Sequence, residues 1–159
     1  EAQLDRFRLH IRVDYPTEAE ERAILQQTTG ASSAEVPRVM HGEAVRELQK
    51  LVREVHMSDD VLSWINQLVV ASRPHEKISK DIENWVKWGA GPRAGQALVL
   101  ASKARALIQG RFAATKDDVQ ALAAPVLRHR LLLTFVAEAE QISADDVVAA
   151  LLKIVPFPG

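Results

Sequence analysis

The chain changes its hydropathy pattern within residues 9–20, which read LHIRVDYPTEAE. Apolar and polar residues alternate up to Pro16, a pattern that is typical of a half-buried β-strand ending at a proline. Thr17 and Glu20 then form a capping box, in which the hydroxyl accepts from the first helical turn and the carboxylate bonds back to the cap. This motif predicts that a helix begins here and continues to about Gln27.

The predicted strand over residues 9–15 has no visible partner in the sequence. Leu9, Ile11, Val13 and Tyr15 would form its apolar face, and no other segment shows a comparable alternation. A single strand can neither satisfy its backbone groups nor bury its face alone. It must therefore pair with another subunit or with a sheet outside this chain, and we favour the second alternative.

The sequence after Pro16 predicts helices joined by loops, the first loop running through residues 30–37. Apolar residues at helical spacing, together with residues that favour helix ends, define six more helices. The first three are a helix with Val45, Leu48, Leu51, Val52 and Val55 at helical spacing, a helix from Ser58 to about Ser72 that buries Val61, Ile65, Leu68 and Val69, and a short helix that holds Trp85 and Trp88. The last three are a long helix from Pro92 to Gly110 with Leu98, Ala101, Ala104 and Ile108 on one side, a helix from Thr115 that is interrupted at Pro125 and resumes through Leu133, and a helix from Ser143 that buries Val147, Val148, Leu151 and Leu152.

Three helix starts contain paired aspartates, at residues 59–60, 117–118 and 145–146. Paired carboxylates could hold a divalent metal. Each pair, however, follows a Ser or Thr at a predicted helix N-terminus, where negative charge is favoured by about 0.3–1 kcal/mol. We therefore interpret the pairs as parts of helix caps, and their unequal spacing does not predict a repeat architecture.

The composition excludes several classes of site. The 159 residues contain no cysteine, which excludes disulfides, thiolate zinc sites, iron–sulfur clusters and thiol nucleophiles. The five histidines are scattered without a metal-binding spacing, and the sequence has neither a Gly-x-Ser-x-Gly elbow nor a Walker A phosphate loop. We therefore expect no metal site in this chain, and the chain alone cannot cradle a triphosphate in a phosphate loop.

Charge and hydropathy predict a soluble, cytoplasmic protein. The formal net charge is -1, and the first residues are too polar for a signal peptide. No apolar run approaches the roughly 18–20 residues that are needed to span a bilayer. The chain also starts without Met, so we expect it to begin inside a longer gene product.

Residues 89–94, GAGPRA, match the glycine pattern of dinucleotide-binding loops, but their context does not fit. That motif follows a parallel strand and precedes an acidic residue by about 20 positions, whereas here the preceding residues are predicted to be helical and the acid is absent. Arg93 instead lies in the first turn of a helix, where a cation is electrostatically disfavoured. It is either a solvated arginine or part of an anion site that the glycine loop and the helix amides complete.

Cations outnumber carboxylates between residues 93 and 130. The seven cations are Arg93, Lys103, Arg105, Arg111, Lys116, Arg128 and Arg130, against Asp117 and Asp118. Such a balance could attract nucleic acid, but few aromatic residues interleave with the cations to stack on bases. We therefore do not expect nucleic acid to be the main partner.

Six short motifs occur along the chain: EAQLDRF at residues 1–7, DYP at residues 14–16, GAGPRA at residues 89–94, GR at residues 110–111, DDV at residues 117–119 and VLRHRL at residues 126–131. Together, and in this order, they resemble the C-terminal part of MoxR-type AAA+ ATPases. The similarity covers nearly the whole chain. The family usually has Ser-Pro-Arg where this chain has Gly91-Pro92-Arg93, a departure that leaves the arginine in place.

The resemblance implies a mainly α fold, a helical bundle preceded by one β-strand left over from an α/β ATPase core. Residues 1–16 would be the end of that core, and residues 17–159 would be the helical lid domain. Arg6 is similar to the arginine finger, which reaches the nucleotide of a neighbouring subunit, and Arg93 is similar to the sensor-2 arginine. The Walker motifs would lie upstream, so the full-length protein would bind ATP and Mg²⁺, and this chain alone would have no cofactor.

The resemblance further implies a homo-oligomeric ring, by family analogy a hexamer, whose ATP cycle drives chaperone-like activation or remodelling of an unidentified client protein. An alternative function from another class is a self-contained helical protein-interaction module that binds no nucleotide. Nucleic-acid binding through residues 93–130 is a third alternative. Walker motifs upstream in the parent gene would favour the first interpretation over the second, and salt-dependent DNA binding would favour the third.

Overall fold

The computed structural model describes residues 3–30 and 36–158, and most of these residues are helical. The helices are α1 (Glu18–Thr28), α2 (Gly42–Glu54), α3 (Asp59–Ala71), α4 (Lys80–Trp85), α5 (Pro92–Ile108), α6 (Lys116–Leu127), α7 (Phe135–Ala139) and α8 (Ala144–Ile154). The strands are β1 (His56–Met57), β2 (Val86–Trp88), β3 (Ala113–Ala114) and β4 (Leu132–Leu133), and single 3-10 turns cover Leu4–Arg6, Pro74–Glu76 and Arg128–Arg130. The prediction of a mainly α fold is confirmed.

The core lies between α3, α5, α6 and α8. Trp64, Leu68, Leu98, Val119 and Leu151 are all fully buried there and belong to one cluster. These residues recur at the helical spacing that the sequence shows, so each helix turns its apolar face inward. The Trp64 indole also donates from Nε1 to the carbonyl of residue 155 at 2.7 Å, which ties α3 to the end of α8.

Side-chain caps begin three of the helices where the sequence predicts. Thr17 and Glu20 form the capping box of α1, with the Thr17 amide donating to the Glu20 carboxylate at 2.8 Å. Ser58 accepts from the amide of residue 61 at the start of α3. Ser143 and Asp146 form a reciprocal capping box at the start of α8. The capping interpretation of these helix starts is therefore confirmed.

Two short ladders connect the helices at the edges of the bundle. β1 pairs with β3 in parallel, and β2 pairs with β4 in antiparallel orientation, with Trp88 opposite Leu132. Trp88 was predicted to share a helix with Trp85, but α4 ends at Trp85 and Trp88 lies in β2. The strands are two or three residues long, which is too short for an alternating pattern to show in the sequence.

The structure differs from the prediction in the second half of the chain as well. α6 continues through Pro125 to Leu127 instead of stopping at the proline. The missing Pro125 amide leaves the carbonyl of Ala121 without its helical donor, and Ala121 is exposed, so water can bond there. The helix does not resume to Leu133, because β4 and the unpredicted α7 follow. Ile108, predicted on the same side of α5 as the buried Leu98, is 86% exposed at the helix end.

The strand predicted over residues 9–15 does not form within this chain. These residues have no regular secondary structure, and their apolar side chains are exposed, up to 100% for Tyr15. The His10 amide donates to the Pro125 carbonyl at 2.8 Å, the His10 carbonyl accepts from Arg128, and Arg12 pairs with Asp145 at 3.3 Å. The two partners predicted for this strand, another subunit or a sheet outside this chain, both lie outside the chain. Part of the predicted loop, residues 31–35, lies outside the described residues.

The apolar side of α2 is also largely open to solvent, since Val45, Leu48 and Leu51 are 38–44% exposed. Buried apolar residues begin at Val55 and end at Val155 in the described chain. Among the described residues, no helix is both long and apolar enough to cross a membrane.

Candidate functional site: an arginine-lined cleft at the start of α5

A cleft of about 920 Å³ opens between the N-terminal half of α5, the face of α3 and the 3-10 turn at Leu4–Arg6. Its charged lining consists of Arg6, Arg8, Arg53, Arg93, Arg130 and Asp5. The structure therefore brings the two predicted site residues, Arg6 and Arg93, to one cleft although 87 positions separate their numbers. The sequence did not indicate Arg8, Arg53 or Asp5 as members of this site.

The glycine loop before α5 is held against the end of α3. A Cβ atom on Gly89 would lie 2.3 Å from the Ser72 carbonyl oxygen, so only glycine fits there without a backbone shift. The buried Ser72 hydroxyl accepts from the Ala90 amide at 2.9 Å and donates to the carbonyl of residue 69. The Arg73 guanidinium donates to the Ala90 carbonyl at 3.2 Å. These contacts set the position at which α5 begins.

Arg93 extends from the first turn of α5 into the cleft. Gly91 is the N-cap, Pro92 is the first helical residue, and the Arg93 side chain is 56% exposed. The helix N-terminus carries partial positive charge, so it adds to the field of the guanidinium instead of opposing it. Asp5 partly compensates this charge, with its Oδ2 3.5 Å from Arg93 Nη1.

Asp5 also pairs with Arg130, whose side chain is only 2% exposed. Arg130 Nε donates to Asp5 Oδ1 at 3.0 Å. Burial lowers the pKa of Arg130 and the Asp5 carboxylate opposes that shift, but a guanidinium stays charged at any ordinary pH. Asp5 therefore joins a buried arginine to the exposed Arg93.

The charge of the cleft fits an anionic ligand. Five arginines and one carboxylate line it, and Arg6 is exposed and forms no ion pair with any described residue. Guanidinium groups bind phosphate oxygens well because their donors form a planar fork. The described residues contain no cluster of three potential metal ligands.

Asp118 has a structural role that the capping interpretation missed. Its side chain is fully buried, and it accepts from Arg111 and Arg105 at 2.6 Å each and from the Thr115 amide at 2.9 Å. Burial alone would raise the pKa of Asp118, but the bonds from Arg111, Thr115 and Arg105 outweigh it and hold the pKa far below its ordinary value. This cluster ties the end of α5 to the start of α6.

Five of the seven cations at residues 93–130 form ion pairs within the chain, and these five share three carboxylates. Arg93 and Arg130 pair with Asp5, Arg105 and Arg111 pair with Asp118, and Arg128 pairs with Asp145. Guanidinium groups held in this way are less available to a phosphate backbone. The ion pairs give the nucleic-acid alternative no support.

Comparison with known proteins locates the domain. The family described as AAA lid domain matches residues 78–151, which include Arg93 and the whole of α5 and α6. Residues 78–151 are therefore similar to AAA lid domains. The matched residues lie mostly in the second half of this chain, and α1, α2, α3 and the turn that carries Arg6 precede them.

The chain is similar to MoxR proteins over most of its own length. The chain is 33% identical to the chaperone MoxR1 of Mycobacterium tuberculosis over 159 residues, 99% of this chain and 42% of that protein. It is 32% identical to the protein MoxR of Paracoccus denitrificans over 150 residues, 84% of this chain and 43% of that protein. The resemblance to MoxR-type AAA+ ATPases is thus confirmed.

The fold also matches a solved structure. A crystal structure of a proposed ATPase from Cytophaga hutchinsonii superimposes with a TM-score of 0.89 at 26% identity, covering 99% of this chain and 48% of that chain. The chain spans less than half the length of each of these three proteins.

Proposed function

We propose that this chain is the lid region, with the end of the ATPase core, of an AAA+ ATPase that works as a cytoplasmic homo-oligomeric ring. The observation that carries the proposal is the common cleft of Arg6 and Arg93. The two residues lie in the family's motifs, far apart in the sequence, and both line this one cleft. Residues 1–16 would belong to the core and residues 17–159 to the lid.

The proposed chemistry of the two arginines is electrostatic. ATP and Mg²⁺ would be held by the phosphate-loop and Walker B residues of the full-length protein, and hydrolysis transfers the γ-phosphoryl group to water. Arg6 and Arg93 would place fixed positive charge beside the oxygens that gain charge in the transition state, an effect worth about 10³–10⁵ in rate for an arginine finger.

A common cleft also has a geometric consequence for the ring. If Arg6 reaches the nucleotide of a neighbouring subunit, Arg93 reaches that same nucleotide, because both line one cleft. We therefore propose that sensor 2 and the finger act together across the subunit boundary. Asp5 would release Arg93 when a phosphate group, which carries more charge, takes its place.

The proposed work of the ring is chaperone-like activation or remodelling of a client protein. MoxR1 of Mycobacterium tuberculosis, similar over the whole chain, is described as a chaperone. We propose a hexamer by analogy with AAA+ rings.

The test uses the full-length protein with Arg6→Ala and Arg93→Ala. Each should lower kcat by at least about 10²-fold, since each removes a charge-assisted contact to the transition state. Lysine should restore little, because it lacks the planar fork. Arg46→Ala is the matched control, because Arg46 is exposed on α2 and does not line the cleft, and it should leave kcat unchanged.

Mixed rings test the direction of action. Arg6→Ala subunits mixed with subunits that lack the Walker lysine should recover activity where an intact finger meets an intact phosphate loop. Arg93→Ala should be complemented in the same way. No recovery despite confirmed subunit exchange would overturn the trans arrangement, and an isolated 1–159 chain with steady ATP turnover that Arg93→Ala abolishes would overturn the proposal that the phosphate-binding residues lie elsewhere.

A further inference from the structure

The 3-10 turn Arg128–Arg130 holds the backbone on both sides of Arg6. Arg130 donates to the carbonyl oxygens of Asp5, Phe7 and Arg8 at 3.1, 2.6 and 3.3 Å. His129 Nε2 lies 3.0 Å from the Phe7 carbonyl oxygen. We call residues 5–10 the N-terminal segment.

The next bonds extend this attachment along the N-terminal segment. Arg128 Nη1 donates to the His10 carbonyl at 3.2 Å, and its Nε donates to Asp145 on α8 at 2.9 Å. Since a carbonyl oxygen can only accept, His129 is the donor to Phe7, through Nε2. All three side chains of the turn therefore bond to main-chain oxygens of the N-terminal segment.

Every N–H donor of the Arg130 guanidinium forms a hydrogen bond in these contacts. A guanidinium has five N–H donors. In Arg130 they bond to the Asp5 carboxylate, to the carbonyls of Asp5, Phe7 and Arg8, and to the carbonyl of Val126 at the end of α6. Four of the five acceptors belong to the N-terminal segment, so the buried charge is satisfied chiefly by that segment.

Apolar packing does not explain this attachment. Residues 3–10 contribute no buried side chain, and Leu4, Phe7 and Leu9 are 40–65% exposed. Bonds to main-chain carbonyls fix the path of the backbone and do not depend on the side chains of the N-terminal segment. The guanidinium of arginine is planar, so the directions of these bonds are fixed as well. The arrangement orients the backbone from which Arg6 projects.

We propose that Arg130 is a positioning residue for Arg6, holding the N-terminal segment on the lid so that the finger meets the nucleotide in one orientation. This inference rests on the proposed function of Arg6. A displacement of about 1 Å can cost a reaction about 10²-fold, so the fixed backbone path matters for a group that acts by placement. Arg128 and His129 assist, with fewer bonds each.

The first test measures the position of the segment and needs no ATPase activity. The chain has no cysteine, so Arg6→Cys gives a single site for a nitroxide spin label, and Arg6 forms no side-chain bond with the described residues that the label would break. In the 1–159 chain, Arg130→Lys and Arg130→Gln should each sharpen the electron paramagnetic resonance spectrum, because the label gains mobility. Arg111→Gln is the matched control, since it breaks a comparable ion pair at Asp118 and should leave the spectrum unchanged.

Circular dichroism of each labelled chain checks that it remains folded. If Arg130→Gln does not fold, the spectrum of Arg130→Lys decides the test. A label whose mobility stays the same in both Arg130 variants overturns the inference. An equal gain in label mobility in Arg111→Gln also overturns the inference, because it would show that the whole fold has loosened.

The second test measures catalysis in the full-length protein. Arg130→Lys should lower kcat at least 10-fold with the KM for ATP within about threefold, because it displaces a transition-state contact and leaves the residues that bind ATP in place. The Arg6→Ala, Arg130→Lys double variant should be no slower than Arg6→Ala, since the two residues act as a unit.

The two tests separate this inference from the proposed function. If Arg6→Ala leaves kcat unchanged, the proposed function fails, whatever the spin label shows. If Arg6→Ala lowers kcat and Arg130→Lys does not, or if the double variant shows additive losses, the positioning role of Arg130 fails alone.

Discussion

Asp118 is fully buried and ionised, and two arginines and the Thr115 amide stabilise its charge. Asp118→Asn should lower the free energy of unfolding by about 2 kcal/mol, within the range for a hydrogen bond to a charged group. The loss is moderate because Arg105 and Arg111 are about a third exposed and can be hydrated. Urea unfolding at pH 7 measures it, and Asp117→Asn, at an exposed neighbour, should change the free energy by less than about 0.5 kcal/mol.

The difference in stability between wild type and Asp118→Asn also depends on pH. The pKa of Asp118 is lowered in the folded chain, so its contribution is complete above the ordinary Asp value of about 4 and is lost as the pH falls below it. The difference between wild type and Asp118→Asn should therefore shrink in acid. Equal stabilities at pH 7, or a difference that grows in acid, would contradict the ionised role.

The site residues differ in how far the sequence could predict them. Arg93 was visible because a cation in a first helical turn is unusual, and Arg6 was visible only through the family resemblance. Asp5 and Arg130 were not assigned to the site, because their pairing joins positions 125 residues apart and leaves no local pattern. The structure supplies that contact, while the roles proposed for Arg6 and Arg93 stay predictions.

At the level of elements, Gly89 sets the distance between the end of α3 and the start of α5. Gly89→Ala would bring a Cβ atom to 2.3 Å from the Ser72 carbonyl oxygen, so one backbone must shift. We expect a loss of about 1–3 kcal/mol in the free energy of unfolding, the usual cost of overpacking. Gly91→Ala is the control in the same loop, since a Cβ atom there meets no atom within 4 Å, and it should cost less than about 1 kcal/mol.

Chemical denaturation of both glycine variants gives the comparison. Equal losses for Gly89→Ala and Gly91→Ala would show that the close approach to Ser72 does not decide the requirement for glycine at residue 89.

Helix starts were the most predictable elements, because a cap places its signal within four residues. Thr17, Ser58 and Ser143 each cap the helix expected of them. The ladders were not predictable, since β1 pairs with β3 across 57 positions and each strand has only two residues. The helix break predicted at Pro125 was wrong. A helix tolerates a proline when water can reach the freed carbonyl, and the sequence does not show whether it can.

For the whole molecule, the core is expected to fold without residues 1–16. All buried apolar residues in the described chain lie between Val55 and Val155. A chain beginning at Thr17 should therefore unfold cooperatively, with a loss below about 2 kcal/mol, because water replaces the segment around Arg130. Circular dichroism during thermal melting measures this.

A deletion of the same length at the other end is the control. Removing residues 144–159 takes away α8, and with it the fully buried Val147 and Leu151, so cooperative unfolding should disappear. Loss of cooperativity in the chain beginning at Thr17 would instead show that the N-terminal residues belong to the core.

The contact between Asp5 and Arg130 also bears on how the protein is made. The ribosome adds about 5–20 residues per second, so the N-terminal segment emerges on the order of 10 s before Arg130 is synthesised. Contacts of such long sequence separation form late and slow folding. During synthesis the carbonyls of the N-terminal segment therefore lack their guanidinium donor until Arg130 has been made, so the segment attaches to the turn Arg128–Arg130 late in folding.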